Sequence, residues 1–146
     1  MKRGHRLYAN DQLELLSMKA TNQPFPEHFH ETFCISLINE GVEVIELAHQ
    51  TLHVSSGTIS ITNPYEIHAN PILAAGTSLS FDTLYLSQEE ADRILTQQGV
   101  RFANLQPSHP EQTNLFAKVK AQLTQPTAAS LHSVLHPFLS SLLQVP

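Results

Sequence analysis

The sequence predicts a mainly β fold with helices at its C-terminal end. Short segments rich in Ile, Val, Thr, Leu and Phe follow one another from residue 33 to residue 86, separated by Gly, Asn, Pro and Ser. Helix start signals and helical apolar spacing follow after residue 86. Because many short strands favour a sandwich or small barrel over a βαβ sheet, we expect an antiparallel barrel followed by two to three α-helices.

The length and composition of the chain indicate one compact domain. At 146 residues it can bury a core, and we assign residues 12–86 to the barrel and 87–146 to a helical part. The single cysteine excludes an internal disulfide and fits a reducing compartment. The basic start is not followed by an apolar signal segment, and no stretch reaches transmembrane length. We therefore expect a cytoplasmic protein without membrane contact.

The barrel part begins with a polar segment. Residues 1–11 are predicted to be a disordered tail, and residues 22–26 a turn, because Pro24 and Pro26 lack an N–H donor. Gly41 marks a hairpin, and residues 48–51 the next tight turn. The predicted strands cover residues 13–21, 33–39, 42–48, 51–54, 58–62 and 79–86.

Strict alternation in residues 58–62 predicts that this strand has one dry face, formed by Ile59 and Ile61. Asn63-Pro64 ends the strand. Residues just after such a turn lie at a barrel mouth, where small-molecule sites commonly form.

The helical part carries clear boundary signals. Ser87 with Glu90 forms a capping box for a first helix that stops before Gly99. Residues 101–106 form a candidate short strand, and Pro110 occupies the first position of a second helix. A third helical stretch covers residues 128–144. Pro137 lies inside it and removes a helical hydrogen bond at a cost of about 3 kcal/mol, so we expect a kink or a restart there.

Two histidine clusters bracket the predicted sheet. In an extended strand His28 and His30 project to one side and Phe29 to the other. The return of the chain through a barrel would bring His68 beside them. We therefore expect His28, His30 and His68 to line a ligand site, with Asn70 and Tyr65 as further contacts.

Charge limits what this site binds. No Lys or Arg lies in residues 20–92, whereas ten acidic residues do. A phosphate-binding or nucleic-acid-binding surface on the barrel is excluded, since such surfaces need clustered basic side chains. A carboxylated ligand would find only histidine or backbone to neutralise it. We expect a neutral effector, polyhydroxylated or partly apolar.

Motif order gives a family resemblance. The HxH pattern, a hairpin glycine and then Gly-x6-Pro-x3-His-x-Asn resemble the two motifs of a cupin, an antiparallel β-barrel of the double-stranded β-helix or jelly-roll type. More narrowly, PEHFHETFCISLINEG, SSGTISITNPYEIHAN and LSFDTLYLSQEEADRIL are similar to the N-terminal effector-binding and dimerisation domain of AraC-type transcriptional regulators. The resemblance covers nearly the whole chain.

The resemblance carries further expectations about partners and the N-terminal arm. It implies a homodimer, and DNA contact only through a helix-turn-helix domain that would follow residue 146. It also implies that the arm, with Leu7 and Tyr8, folds over a bound effector.

Leu131, Leu135, Phe138 and Leu142 have the spacing of a heptad seam. Two interpretations remain open: this face is the dimer interface that the resemblance implies, or it packs on its own barrel.

The metal-binding pattern of the cupins is incomplete in this chain. Where they carry a glutamate seven residues before the motif glycine, this chain has Cys34. A free cysteine commonly behaves as a small buried hydrophobe, and we expect a packing role. Three imidazoles can still hold a metal with an open position. We expect no cofactor, and at most weak or adventitious Zn or Ni on His28, His30 and His68.

Three functions compete. The first is effector sensing and dimerisation in an AraC-type regulator, and the second is a small metal-dependent cupin enzyme, an isomerase or dioxygenase using His28, His30 and His68. The third is a purely structural dimerisation module. The missing glutamate and the C-terminal helices favour the first, so we expect that the chain is not an enzyme.

Overall fold

The computed structural model describes residues 4–10, 12–71, 77–127 and 130–143, with the backbone alone for residues 4–10. All strands precede all helices in these residues, which confirms the predicted mainly β fold with C-terminal helices. In chain order the elements are β1 (Gly4–Asn10), β2 (Leu13–Thr21), β3 (Phe25–His28), β4 (Phe33–Glu40), β5 (Glu43–Glu46), β6 (Thr51–Val54), β7 (Ile59–Thr62), β8 (His68–Asn70), β9 (Leu79–Leu86), α1 (Gln88–Leu95), α2 (Pro110–Thr124) and α3 (Leu131–Leu142).

The strands form two antiparallel sheets that enclose an interior space. One sheet has the order β1-β2-β9-β4-β7 and the other the order β3-β8-β5-β6. The steps from β4 to β5, from β6 to β7 and from β8 to β9 each carry the chain from one sheet to the other. Because side chains alternate along a strand, each strand sends one set of residues inward and the other outward.

The larger core lies outside this interior, between the five-stranded sheet and the helices. Its sheet side consists of Leu13, Leu15, Phe33, Ile35, Ile59, Ile61, Leu84 and Leu86. Its helix side includes Ala91, Ile94, Leu95, Phe116, Val119, Leu135, Phe138, Leu139 and Leu142. A smaller cluster of Met18, Ile38, Ile45, Val54 and Phe81 packs between the two sheets. The helices thus cover one face of the sheet whose other face lines the interior.

This arrangement corrects the prediction of a single dry face in β7. Ile59 and Ile61 are buried as expected, but Ser60 and Thr62 are buried too, at 3% and 5% exposure. The isoleucines face the helices, while the hydroxyl residues face the interior between the sheets. Neither side of β7 reaches open solvent.

The predicted disordered tail is instead strand β1. Residues Gly4–Asn10 pair with β2, and Tyr8 lies opposite Glu14. The added strand covers the hydrogen-bonding edge that β2 would otherwise present to solvent.

Two further predictions are corrected. The expected turn at residues 22–26 already contains the first residues of β3, and Pro26 is tolerated there because β3 is an edge strand. Residues 101–106 do not form a strand; Leu105 makes an isolated bridge to Ser60.

The helix boundaries follow their local signals. The Ser87 side chain accepts a hydrogen bond from Glu90 N at 3.1 Å, as a capping residue does. Helix α1 ends at Leu95 with Thr96 in the left-handed region, and Pro110 is the first residue of α2. Helix α3 continues through Pro137. No helix in the described ranges combines the length and apolar character needed to cross a bilayer.

The heptad seam of α3 lies in the core of its own chain. Leu135, Phe138 and Leu142 are 3%, 0% and 0% exposed, and Leu131 packs against the same cluster while partly buried. Of the two interpretations left open, the structure agrees with packing of this face on its own sheet. Homodimerisation itself stays a prediction.

Candidate functional site

A cavity of about 830 Å³ lies between the two sheets. Its volume is typical of small-molecule sites, which are concave and carry a few converging polar groups. Residues from both sheets line it, including the three predicted histidines, Asn70, Cys34 and a set of hydroxyl residues.

The hydroxyl lining follows from strand register. Cys34 on β4 lies between Thr62 on β7 and Tyr85 on β9. Two residues further along β4, Ser36 lies between Ser60 and Thr83. Both rows line the cavity, and they are about 6.6 Å apart because two residues of a strand span that distance.

The three predicted histidines meet at one wall of this cavity. His28 on β3 lies opposite His68 on β8, and their ring centroids are 4.3 Å apart. The His30 ring is 4.8 Å from the His28 ring and 5.6 Å from the His68 ring. One ring nitrogen from each residue lies within 4.8 Å of the other two. The pairing of β3 with β8 creates this cluster.

Backbone carbonyls assign the tautomers of two histidines. Nδ1 of His28 lies 2.6 Å from the Pro26 carbonyl oxygen, and Nδ1 of His68 lies 3.0 Å from that of Glu66. A carbonyl only accepts, so each Nδ1 carries the proton and each Nε2 keeps a lone pair. Nε2 of His30 then donates to Nε2 of His28 at 3.1 Å.

Two of the three histidines have lowered pKa values, which favours their neutral forms at neutral pH. Burial, together with smaller effects of the neighbouring His28 and His68, lowers the pKa of His30 to about 4. Burial also lowers the pKa of His68. Neutral imidazoles are the form that binds metals and accepts hydrogen bonds from polar ligands.

The donor set fits a three-imidazole metal site with open positions, of the kind that zinc and nickel occupy. Within the described residues no carboxylate joins the three histidines. Burial raises the pKa of the Cys34 thiol to about 12, so the thiol stays protonated and is a poor ligand. His28, His30 and His68 would therefore hold any metal without a fourth side chain.

The remaining predicted site residues lie in different places. Asn70 lines the cavity, and its Nδ2 donates to the Val44 carbonyl at 3.1 Å.

Tyr65 is 64% exposed and packs against Phe29 on the outside, so its assignment as a cavity contact is corrected. Its backbone has a positive φ of 65° and its N–H donates to the His30 carbonyl, which aligns the loop but leaves the ring in solvent. The side chain of Tyr8 lies outside the described residues.

Glu43 is a cavity residue that the sequence analysis did not single out. It lines the cavity from β5, and its Oε1 accepts a hydrogen bond from Ser60 Oγ at 2.8 Å. Burial raises its pKa to about 7. The sequence signal that could have identified Glu43 is its alternation with Val44 in the strand after the Gly41 hairpin. Phe25 also lines the cavity.

Comparison with known proteins identifies the family. Residues 12–139 match the AraC-like ligand binding domain. The chain belongs to this family. The matched region contains β2 to β9, all of the cavity-lining histidines and most of the helical part. No curated protein sequence matches this AraC-like domain significantly.

Solved structures similar to this AraC-like domain share its β fold. A cupin superfamily protein from Desulfitobacterium hafniense DCB-2 is 16% identical with a TM-score of 0.52, over 60% of this chain and 78% of that one. A putative mannose-6-phosphate isomerase from Ralstonia eutropha JMP134 is 12% identical with a TM-score of 0.52, over 60% and 85%. These likenesses establish the cupin, or jelly-roll, fold that the sequence motifs predicted.

Proposed function

We propose that this AraC-like domain senses a small-molecule effector for a transcriptional regulator. The observation that carries the proposal is the cavity between the sheets, in which three histidines converge inside a domain of this family. The effector binds there and changes the packing of the helices. The regulator acts in the cytoplasm as a homodimer, and a separate helix-turn-helix domain contacts DNA. The domain itself is not an enzyme.

Strand β7 supplies a route from the cavity to the helices. Ser60 and Thr62 line the cavity, while the intervening Ile61 packs in the core shared with α2 and α3. A ligand that displaces the hydroxyl residues also displaces this isoleucine. Binding therefore favours one helix arrangement over another when the ligand contacts differ between the two.

Strand β9 supplies a second route. Lys120 on α2 lies 3.1 Å from the Asp82 carboxylate on β9, while Thr83 beside it lines the cavity. The ion pair ties α2 to a strand that the effector touches.

The lining excludes anionic effectors. Among the described lining residues there is no Lys or Arg, and burial lowers the pKa of His30 and His68. A carboxylate or phosphate would lose its hydration without gaining a counter-charge. The effector is therefore a polar molecule rich in hydroxyl groups and without negative charge.

A calorimetric and thermal-shift screen of small polar metabolites tests this function. We expect a compound that binds the wild type but not Thr62→Val or His68→Asn, while His49→Asn on the exposed surface binds normally. Bound compound should also change hydrogen exchange in α2 and α3. Stabilisation by sugar phosphates or dicarboxylates alone would contradict the proposal, as would binding that ignores both cavity variants.

A metal-dependent cupin enzyme is the second candidate. The lone pairs on Nε2 of His28 and His68 favour it, since carbonyl contacts to the other ring nitrogen commonly orient metal-binding histidines. Metal-dependent turnover of a substrate that is lost in His68→Asn would establish this candidate in place of the sensor. A purely structural dimerisation module leaves the polar cavity without a role.

A further inference from the structure

One carboxylate in the cavity is used neither by the histidine cluster nor by the route to the helices. Glu43 Oε1 accepts from Ser60 Oγ at 2.8 Å, and within the described part of the chain no hydrogen bond reaches its other oxygen, Oε2. Glu43 is also the only acidic residue among the described lining residues. A half-buried carboxylate with one neutral donor is short of hydrogen-bond partners.

The rest of the lining adds acceptor atoms that a ligand can reach. Thr62 Oγ1 is buried without a hydrogen-bond partner among the described residues. Its cross-strand neighbour is Cys34, whose thiol is a weak hydrogen-bonding group. Nε2 of His68 keeps a lone pair because its Nδ1 donates to the Glu66 carbonyl. The cavity thus favours a ligand that brings several donors.

The two polar ends of the cavity are separated along the strands. Glu43 bonds to Ser60, which belongs to the row of Ser36 and Thr83. The His30 ring lies 5.6 Å from the Tyr85 ring, which belongs to the row of Cys34 and Thr62. The rows are about 6.6 Å apart. One small molecule spans them.

We propose that Glu43 determines ligand specificity by pairing with a protonated amine, while hydroxyl groups of the same ligand bond Thr62 and the histidines. The ligand class is then an amino alcohol or amino polyol. This inference rests on the proposed sensing function and refines its effector from a molecule without negative charge to a cation. A cation matches the single carboxylate of a lining that has no competing Lys or Arg.

The protonation of Glu43 supports this pairing. Burial raises its pKa to about 7, and a bound ammonium would return the carboxyl to its charged form. The other titratable groups that line the cavity are His28, His30, His68, Cys34 and Tyr85. Burial lowers the pKa of His30 and His68 and raises that of Cys34, so none of these three supplies a positive charge to Glu43 at neutral pH.

Matched probes that differ in one substituent test the inference. Glucosamine, glucose and glucuronate form one set, and aminopropanediol, glycerol and glycerate form another. Each is titrated by calorimetry into the wild type, into Glu43→Gln, and into Glu46→Gln as a control on the exposed part of the same strand. Circular dichroism checks that each variant is folded. Ser60→Ala keeps the carboxylate and removes its internal donor.

The wild type, Glu46→Gln and Ser60→Ala should bind at least one amine about 10-fold more tightly than its neutral counterpart, and Glu43→Gln should lose that preference. Equal binding of amine and neutral probes, tightest binding of the acid, or an amine preference that survives in Glu43→Gln would overturn the inference and leave the sensing function standing. Failure of all six probes and of a metabolite screen to bind would overturn both.

Discussion

The Nε2 atoms of His28 and His30 lie 3.1 Å apart and share a hydrogen bond. The Pro26 carbonyl holds the proton of His28 on Nδ1, so His30 donates and His28 accepts. A metal ion bound by both Nε2 atoms would have to replace this bond and move the His30 proton to Nδ1. Part of the hydrogen-bonding capacity of the three histidines is therefore already used without a metal.

Metal content is the first test. Protein prepared without metal-affinity chromatography should contain well below one equivalent of Zn or Ni by elemental analysis, and EDTA should leave ligand binding unchanged. His28→Asn should lower the residual content, whereas His132→Asn, in the exposed pair with His136 at a ring distance of 5.7 Å, controls for surface binding. One tightly held ion per chain, needed for ligand binding or turnover, would favour the enzyme.

Glu43 should make stability depend on pH. Its pKa is about 7 in the folded chain against an ordinary value of 4.5, so the folded state binds more protons between these values. Stability therefore falls as pH rises from about 4.5 to about 7. Glu43→Gln should remove that loss and gain roughly 2 kcal/mol near pH 8 relative to the wild type. Urea unfolding at several pH values across this range measures the change in stability. The exposed Glu46→Gln should follow the wild type. Parallel stability curves for Glu43→Gln and the wild type would contradict the prediction.

The ion pair between α2 and the sheet gives a third prediction. Asp82 is 4% exposed and receives hydrogen bonds from Ser17, Asn39 and Lys120. Lys120→Met should cost about 1 to 2 kcal/mol, because it leaves a buried carboxylate with fewer partners, although the lysine is partly in solvent. Chemical denaturation measures the loss, and the exposed Lys118→Met is the matched control. Equal stability of the two variants would show that the pair contributes nothing.

The same carboxylate predicts acid sensitivity. Burial raises the pKa of Asp82, but the hydrogen bonds from Ser17, Asn39 and Lys120 together outweigh burial and lower it. Its contribution is present above the ordinary pKa and is lost as the pH falls through the lowered value. The difference between wild type and Lys120→Met should shrink in this acidic range.

A substitution at Leu135 tests whether this face of α3 belongs to the core of its own chain or to a dimer interface. At 3% exposure in the single chain, Leu135→Asp should destabilise the domain by more than about 3 kcal/mol and abolish its folded circular dichroism spectrum. Ser133→Asp, exposed on the same helix, should fold normally. A folded, monomeric Leu135→Asp protein beside a dimeric wild type in sedimentation would instead place this face at the dimer interface.

Gly41 and Gly57 form a matched pair for the hairpins. Both have positive φ, at 88° and 83°, but a Cβ on Gly41 would meet the Ser78 carbonyl oxygen, whereas a Cβ on Gly57 meets nothing within 4 Å. Gly57→Ala should cost about 1 kcal/mol from backbone strain alone. Gly41→Ala should lower the melting temperature clearly further. Equal decreases in melting temperature for the two variants would show that the residues around Ser78 move aside without an energetic cost.

Features that depend on one segment could be predicted from the sequence. The alternation of a single strand places His28 and His30 on one side, and Ser87 with Glu90 suffices to start α1. These two are short-range preferences, and each needs only a few consecutive residues. The cupin type of fold was indicated by the resemblance of the motif order to that family.

Whether a surface is buried depends on which distant segments cover it, so these features could be assigned only from the tertiary structure. Glu43 alternates like any half-exposed strand residue, and its place in the cavity follows from the pairing of β5 with β6 and β8 and from Ser60 on the opposite sheet. Leu135 has the same apolar spacing whether its helix covers a partner or its own sheet. Periodicity reports that a face is apolar, whereas burial depends on which distant residues pack against it.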